Sequence, residues 1–376
     1  MRSLFASLAV TALIACSSGQ NGAVAQTVDA DTVFEVEELA VFSEPWALAP
    51  LPDGRLLVTE KAGRMLLWSE GSEPVEIAGI TRVAYGGQGG LGDVVLHPDY
   101  AENGLVYFSY AEPVREELRG AVVARGRLVL DGEPRLEDVE IVWRQSPRIV
   151  SPGHFGHRIA FGPDGLLYIS SGERMQQDPA QDLSNTLGTV VRLNDDGSTP
   201  ESNPFANRGG VTTQIWSYGH RNPLGLAFAP DGRLWELEHG PAGGDELNLI
   251  EAGVNYGWPT VSNGSNYDGR PIPAHSTHPE FRAPVISWTP VLAPGNMVFY
   301  SGAMFPDWQG DILISGMTTH AIIRVDVNGG GASEAARYDL GQRIRAVMPG
   351  VDGAIWALGD EREESRGILF RLTPAS

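Results

Sequence analysis

Short apolar runs recur along the chain, each introduced by a turn that pairs Asp, Asn or Gln with Gly. They are PDGRLLVTE from Pro52, NGLVYFSY from Asn103, PDGLLYISSGE from Pro163, PDGRLWELEHG from Pro230, QGDILISG from Gln309 and VDGAIWALGDE from Val351. Ile, Leu, Val, Tyr and Trp dominate the runs, which suits a pleated strand. The Asp-Gly and Asn-Gly pairs suit a tight turn, because Gly takes positive φ at little cost. No stretch sustains a 3.6-residue apolar period, so little helix is predicted. The turn glycines stand at 54, 104, 165, 232, 310 and 353, at intervals of 50, 61, 67, 78 and 43. A repeat of that size, with about four strands per unit, is the signature of propeller blades. The pattern predicts an all-β chain forming a six-bladed β-propeller of four-stranded antiparallel blades. The longest interval contains VSNGSNYDGRPIPAHSTHPEFRAP, residues 261–284. It reads as a long loop between strands, and such loops often carry function.

Composition narrows the partners. The 376 residues include 46 Gly and 26 Pro, are 42% hydrophobic, and carry a formal net charge of −20. That describes a turn-rich globular protein with ample core. An acidic surface of this size repels phosphate backbones and excludes nucleic acid as a partner. It also excludes a polybasic membrane patch.

The N-terminus reads MRSLFASLAVTALIACSSGQNGAVAQ, with Arg2 as a basic start and Leu4–Ala15 as an apolar segment too short to span a bilayer. It reads as an export signal, and two cleavage sites compete. Leu13-Ile14-Ala15-Cys16 resembles a lipobox, which would make Cys16 the lipidated first residue. Ala23-Val24-Ala25 fits an ordinary A-x-A site. The lipobox is favoured by its position directly at the end of the apolar segment. The expected division is a signal and short linker over 1–25 and a single propeller domain over 26–376. Cys16 is the only cysteine, so the mature fold has no disulfide. The expected location is the periplasm, with the membrane touched only through a lipid on Cys16.

Common catalytic signatures are absent: there is no HExxH, no GxSxG and no Walker A. Residues 87–92, GQGGLG, match GxGxxG, but DVVLHPDY follows and reads as strand and turn. A dinucleotide fingerprint needs a helix there. Three other clusters stand out. In GHRNPLGLAFAPDGRLWELEHGPAGGDELNLI, residues 219–250, Arg221 and Asn222 precede a strand pair and Gly240-Pro241 follow it. A Gly-Pro step can turn two carbonyl oxygens outward, and these suit a hard cation such as Ca²⁺. Asp245 and Glu246 add carboxylates nearby. A solvated acidic turn accounts for them equally well, and Arg221-Asn222 read equally well as a buried pair holding a turn. In SPGHFGHRIAFGPDG, His154 lies in a Gly-flanked loop and has the titration range of a general base. His157 competes with it, and a lone loop histidine is more often surface decoration.

Taken together the motifs closely resemble one family. HFGHRIAFGPDGLLY, QDLSNTLGTVVRLNDDGSTPESNPF, GHRNPLGLAF, GPAGGDELNLIEAGVNYGWP and GQRIRAVMPGVDGAIW occur in this order, as in the soluble aldose sugar dehydrogenases, relatives of soluble quinoprotein glucose dehydrogenase. The resemblance covers roughly residues 35–373. It implies a six-bladed propeller holding pyrroloquinoline quinone (PQQ) and Ca²⁺ in a cleft on one face. It implies His154 as the base that takes the proton of the anomeric hydroxyl while hydride passes from sugar C1 to the quinone, giving a lactone. Gln88 would touch cofactor or sugar, and Arg221 and Asn222 would contact the quinone. The carbonyls of Gly240 and Pro241 would bind the active-site Ca²⁺. Glu246 and the Tyr256 carbonyl would hold a second, structural Ca²⁺. Arg343 and Arg345 would pair with cofactor carboxylates. Partners would be an aldose and an external electron acceptor: a quinone, a cytochrome or a dye. The chain departs from the family at Thr318, where relatives place Lys or Arg, and His320 is the candidate to compensate. Two other classes fit a Ca²⁺-binding propeller: a sugar lactonase, and a glycan- or protein-binding propeller without cofactor.

Overall fold

Each of the recurring turns joins the first two strands of one sheet, and there are six sheets in a ring. In this computed structural model, residues 25–115, 117–361 and 366–376 are described. The export signal lies outside them. Blade 1 comprises Pro45–Pro50, Leu56–Glu60, Arg64–Trp68 and Val75–Glu76. Blade 2 comprises Leu91–Leu96, Leu105–Arg115, Leu118–Val129 and Arg135–Arg144, with Ile149–Val150 added to its third strand. Blade 3 is Gly156–Phe161, Leu167–Ser171, Thr189–Leu193 and Ile215–Tyr218. Blade 4 is Pro223–Phe228, Leu234–Glu238, Asp245–Ile250 and Ile286–Trp288. Blade 5 is Pro294–Phe299, Ile312–Gly316, Ala321–Asn328 and Gly331–Asp339, with Thr27–Asp29 added in parallel as a fifth strand. Blade 6 is Ile344–Pro349, Ile355–Gly359 and Arg366–Pro374, and its outer strand is Phe34–Ser43 from the other end of the chain. That pairing closes the ring. The blades themselves are antiparallel meanders, and the described helix is limited to Tyr100–Asn103 and a few 3₁₀ turns.

The second strands explain the continuous apolar runs. LLVTE, LYISS, LWELE, ILISG and IWALG are buried at every position, because each lies between two neighbouring blades. A strand covered on both faces reads as a run rather than an alternation. Six apolar clusters result, one at each blade interface. The inner strands face the central axis, where Arg158 of blade 3 fills the channel. Its guanidinium pairs with Asp93 of blade 2 at 2.8 Å, donates to the carbonyls of Leu224 and Gly295 on blades 4 and 5, and stacks 3.8 Å from the Trp46 ring of blade 1. This plug is the floor beneath the site.

Candidate functional site

The Asp-Gly turns all lie on one face of the ring, so the residues that follow the second strands and precede the inner strands meet on the other. A cavity of about 450 Å³ opens there, walled by residues including Lys61, Gln88, Asn222, His239 and Arg345. Lys61, His239 and Asp360 directly follow second strands, and Glu173 follows one residue further on.

His154 stands just before the inner strand of blade 3, at φ 50°, and is 7% exposed. Gln88 accepts its backbone N–H at 2.7 Å. Its Nδ1 donates to Glu173 Oε1, which leaves Nε2 for the cleft. The other Glu173 oxygen accepts the N–H groups of Gln176 and, at 2.6 Å, Gln177. The carboxylate is therefore fixed from both sides. Burial is the largest single influence and would raise the Glu173 carboxyl, but the bond to and charge of His154, the Gln177 N–H and the charge of Arg221 together hold it below the ordinary range. Burial lowers the proton affinity of His154. Glu173 opposes that and the charge of Arg221 adds to it, and the net direction is down. A neutral imidazole oriented by a buried carboxylate is the arrangement a general base requires.

The competing histidine is resolved by its surroundings. His157 is 2% exposed, stacks on Trp46 with centroids 5.0 Å apart, and bonds Ser109 Oγ through Nδ1 at 2.7 Å. Burial pushes its pKa down to about 3. It is a neutral wall of the cavity.

Blade 4 supplies the other side. Glu238, at the end of the second strand, accepts the backbone N–H groups of both Arg221 and Asn222. It thereby pins the segment that leads into the inner strand. The Arg221 guanidinium reaches the His239 carbonyl and the hydroxyl of Tyr267, each at 3.1 Å. Tyr267 comes from the long loop and is otherwise exposed. Arg221 Nε and Asn222 Oδ1 are buried without hydrogen-bond partners among the described residues. Gly240 and Pro241 are buried, and among the described residues neither carbonyl accepts a hydrogen bond. Gly240 has no room for a side chain: a Cβ there would lie 2.3 Å from the carbonyl oxygens of Gly243 and Gly244.

The two acidic residues of blade 4 separate in role. Asp245 accepts N–H groups from Gly240, Leu292 and Ala293 at 2.9, 2.7 and 2.8 Å. One oxygen holds the Gly-Pro turn and the other holds the segment that leads into blade 5. Burial nevertheless raises its pKa to about 6. Glu246 and Tyr256 do come together. With Glu238 they line a second, small cavity of about 10 Å³, room for roughly one water or one ion. The Tyr256 carbonyl also accepts from His275 Nε2 at 3.0 Å, and that keeps one lone pair for a cation.

Arg343 and Arg345 lie on blade 6. Arg345 Nε donates to Asp360 at 3.0 Å, and Arg343 Nε to the Asp360 carbonyl at 3.1 Å. Asp360 therefore anchors the pair, and Arg345 lines the cavity. At Thr318 the hydroxyl folds back onto the carbonyls of Val291 and Leu292, at 3.1 and 2.7 Å. His320 is exposed on the following turn and is not part of the cavity wall. A cation that lines the cavity beside Arg345 is Lys61, 3.4 Å from Glu44 and from the Gly87 carbonyl. It holds on blade 1 a place close to that of Thr318 on blade 5. Glu173, Lys61 and Asp360 were missed by motif reading. Their common signal is position, at or just past the end of a repeated strand.

A six-bladed ring with a polar cavity lined by Lys61 and Arg345, beside a histidine–carboxylate pair, is a propeller equipped for proton transfer on a small polar substrate. The sequence profile described as glucose/sorbosone dehydrogenase matches residues 42–371, and the chain belongs to that family. It is 40% identical over 337 residues to the aldose sugar dehydrogenase YliI of Escherichia coli, covering 88% of this chain and 90% of that one. Quinoprotein glucose dehydrogenase B of Acinetobacter calcoaceticus is 34% identical over 252 residues, 60% of this chain and 52% of that protein. Among solved structures, the apo form of the soluble E. coli aldose sugar dehydrogenase superposes with a TM-score of 0.84, covering 91% of this chain and 100% of that one. The PQQ-bound aldose sugar dehydrogenase of Streptomyces coelicolor superposes with a TM-score of 0.74 at 27% identity, over 90% and 98% of the two chains.

Proposed function

We propose that the protein is a PQQ- and Ca²⁺-dependent dehydrogenase that oxidises aldoses at C1 to aldonolactones and passes the electrons to an external acceptor. One observation carries the reading. Lys61, Gln88, Asn222 and Arg345 line the main cavity with Phe155 and Gly156, the neighbours of His154, and Arg221 and Gly240 line the small cavity that shares His239 with it. A planar tricarboxylate fits this setting. Lys61, Arg221 and Arg345 offer positive charge, Gln88 and Asn222 offer amides, and the carbonyls of Gly240 and Pro241 suit a hard cation.

PQQ, when bound, supplies a two-electron acceptor for the hydride that leaves C1. The chain's own residues do the rest. His154 Nε2 takes the proton of the anomeric hydroxyl, and Glu173 keeps that nitrogen's lone pair free by fixing the proton on Nδ1. The imidazolium that forms is stabilised by the same carboxylate. Arg221 faces negative charge developing on the acceptor side of the cleft. Gly240 and Pro241 hold Ca²⁺, and Asp245 fixes their turn. Glu246 and the Tyr256 carbonyl hold a second, structural Ca²⁺. The buried Arg158 plug closes the site to water from below.

The test is reconstitution. Purified protein is titrated with PQQ in Ca²⁺ buffer, and aldose-dependent dye reduction is followed. Saturation near one equivalent, with activity lost on chelation, is the expected result. Binding without turnover on any aldose would favour a cofactor-binding propeller. Absence of binding would favour the lactonase or a glycan-binding module. At a free Ca²⁺ level about 100-fold above its Kd, the ion should also add ~2.7 kcal/mol of stability, read as a fall in Tm on chelation. We further infer that the chain is exported to the periplasm, with Cys16 lipidated. The mass of the mature N-terminus tests this.

A further inference from the structure

The second strand of blade 4 breaks the rule of its counterparts. Its middle residue is Glu236, at the place that Val58, Ile169, Ile314 and Ala357 occupy in the other fully buried second strands. Glu236 is 0% exposed, and so is His220, which faces it. His220 Nδ1 lies 3.8 Å from Glu236 Oε2 and 3.5 Å from Glu238 Oε1. One ligand atom from each of the three residues falls within 4.8 Å of the others. His220 Nε2 bonds Ser217 Oγ at 2.9 Å, and the ring stacks on Tyr256 with centroids 4.8 Å apart. With Nε2–H donated to Ser217, the Nδ1 lone pair points at two carboxylates. Asn248 completes the group, with its amide 3.0 Å from Glu236 Oε2.

Three acceptor atoms here are buried and unpartnered: His220 Nδ1, Glu236 Oε1 and Asn248 Oδ1. A single proton can relieve one of them. A metal ion takes several lone pairs at once, and buried charges are ordinarily paired or metal-bound. Turning the Asn248 amide over, an assignment made from hydrogen bonding alone, would add its oxygen as a fourth ligand. We propose that His220, Glu236 and Glu238 form a closed structural site for a divalent transition metal of the Zn²⁺ class. The imidazole nitrogen selects such an ion over Ca²⁺, which takes oxygen ligands. The site shares Glu238 with the neighbouring cavity of Glu246 and Tyr256, but His220 and Glu236 do not line that cavity. The second Glu238 oxygen holds the backbone of Arg221 and Asn222, so the ion would brace the wall of the cleft from behind.

The experiment uses the full protein without quinone or sugar, so its outcome is independent of the dehydrogenase reading. Protein stripped of metal is returned to millimolar Ca²⁺ and titrated with Co²⁺, then Zn²⁺, with metal content measured after gel filtration. One equivalent of Co²⁺ with visible absorption, displaced by Zn²⁺, is expected. Glu236→Leu should abolish it, Glu236→Gln should weaken it by ~10-fold or more, and Glu246→Gln should leave it in place. Three results would overturn the proposal. The wild type could retain no Co²⁺ or Zn²⁺ in Ca²⁺ buffer. Glu236→Leu could retain the ion. The ion could be lost from Glu246→Gln but kept in Glu236→Gln, which would place it in the neighbouring cavity. The wild-type titration decides even if a variant fails to fold.

Discussion

Replacing Glu173 by Gln separates a base that is oriented from one that is merely present. The substitution keeps size and burial but changes the hydrogen-bond pattern. Glu173 Oε2 accepts two backbone N–H groups, from Gln176 and Gln177. A Gln amide must therefore keep its oxygen there, because its NH₂ group would meet two donors. The NH₂ is then forced toward His154. Nδ1 becomes the acceptor and the ring proton moves to Nε2, the atom that has to receive the sugar proton. The base is present but occupied. General bases contribute about 10²–10⁴-fold, and most of that should be lost from kcat. The carboxylate's charge-assisted bond to the imidazolium is lost as well, worth ~1.5–3 kcal/mol. PQQ affinity should change little, since Glu173 is not among the groups offered to the cofactor. The assay is rapid-mixing reduction of the reconstituted enzyme at saturating aldose, beside a PQQ titration. In the wild type the limb of the pH profile should fall below 6.5, the ordinary histidine value, because burial and Arg221 outweigh Glu173. A Glu173→Gln enzyme within ~3-fold of wild-type turnover would refute the assignment of Nε2 as the base.

Lys61→Ala should weaken PQQ binding by roughly tenfold or more, the scale of one charge-assisted bond, with turnover at saturation retained. Unchanged affinity in a binding titration would remove Lys61 from the site and leave Thr318 without a counterpart. Acid should destabilise the fold early. His157 is buried and His239 half-buried, each with its pKa pushed down to about 3, so the unfolded chain binds protons that the folded one refuses. Stability is then complete above about 6.5 and falls as pH drops toward 3, by ~1.4 kcal/mol per unit for each histidine. Denaturant midpoints measured across that window test it, and a midpoint flat down to pH 4 would argue against neutral buried rings.

The architecture was legible because each blade repeats one local instruction. The glycine turn and the apolar run sit at the same place in all six sheets, and each run is continuous because two neighbours cover it. Ring closure was not legible. Phe34–Ser43 pairs with Arg366–Pro374, a contact between distant segments that no local pattern specifies. The same division holds at the site. Arg221, Asn222 and the Gly-Pro step stand out in the sequence, because a charged pair before Pro223 and a Gly-Pro after a strand are unusual locally. Glu173 and Lys61 do not stand out, since a charged residue after a strand is ordinary. Their importance comes from the ring, which gathers the residues at the ends of the second strands around one axis. Once the repeat is aligned, the signal becomes positional, and the residue that follows each buried run is the one to examine. Glu236 is the converse case. Within PDGRLWELEHG it passes as the polar member of an alternating strand. Only the burial of its counterparts on both faces shows that a carboxylate in that place must be neutralised, by a proton or by the proposed metal ion.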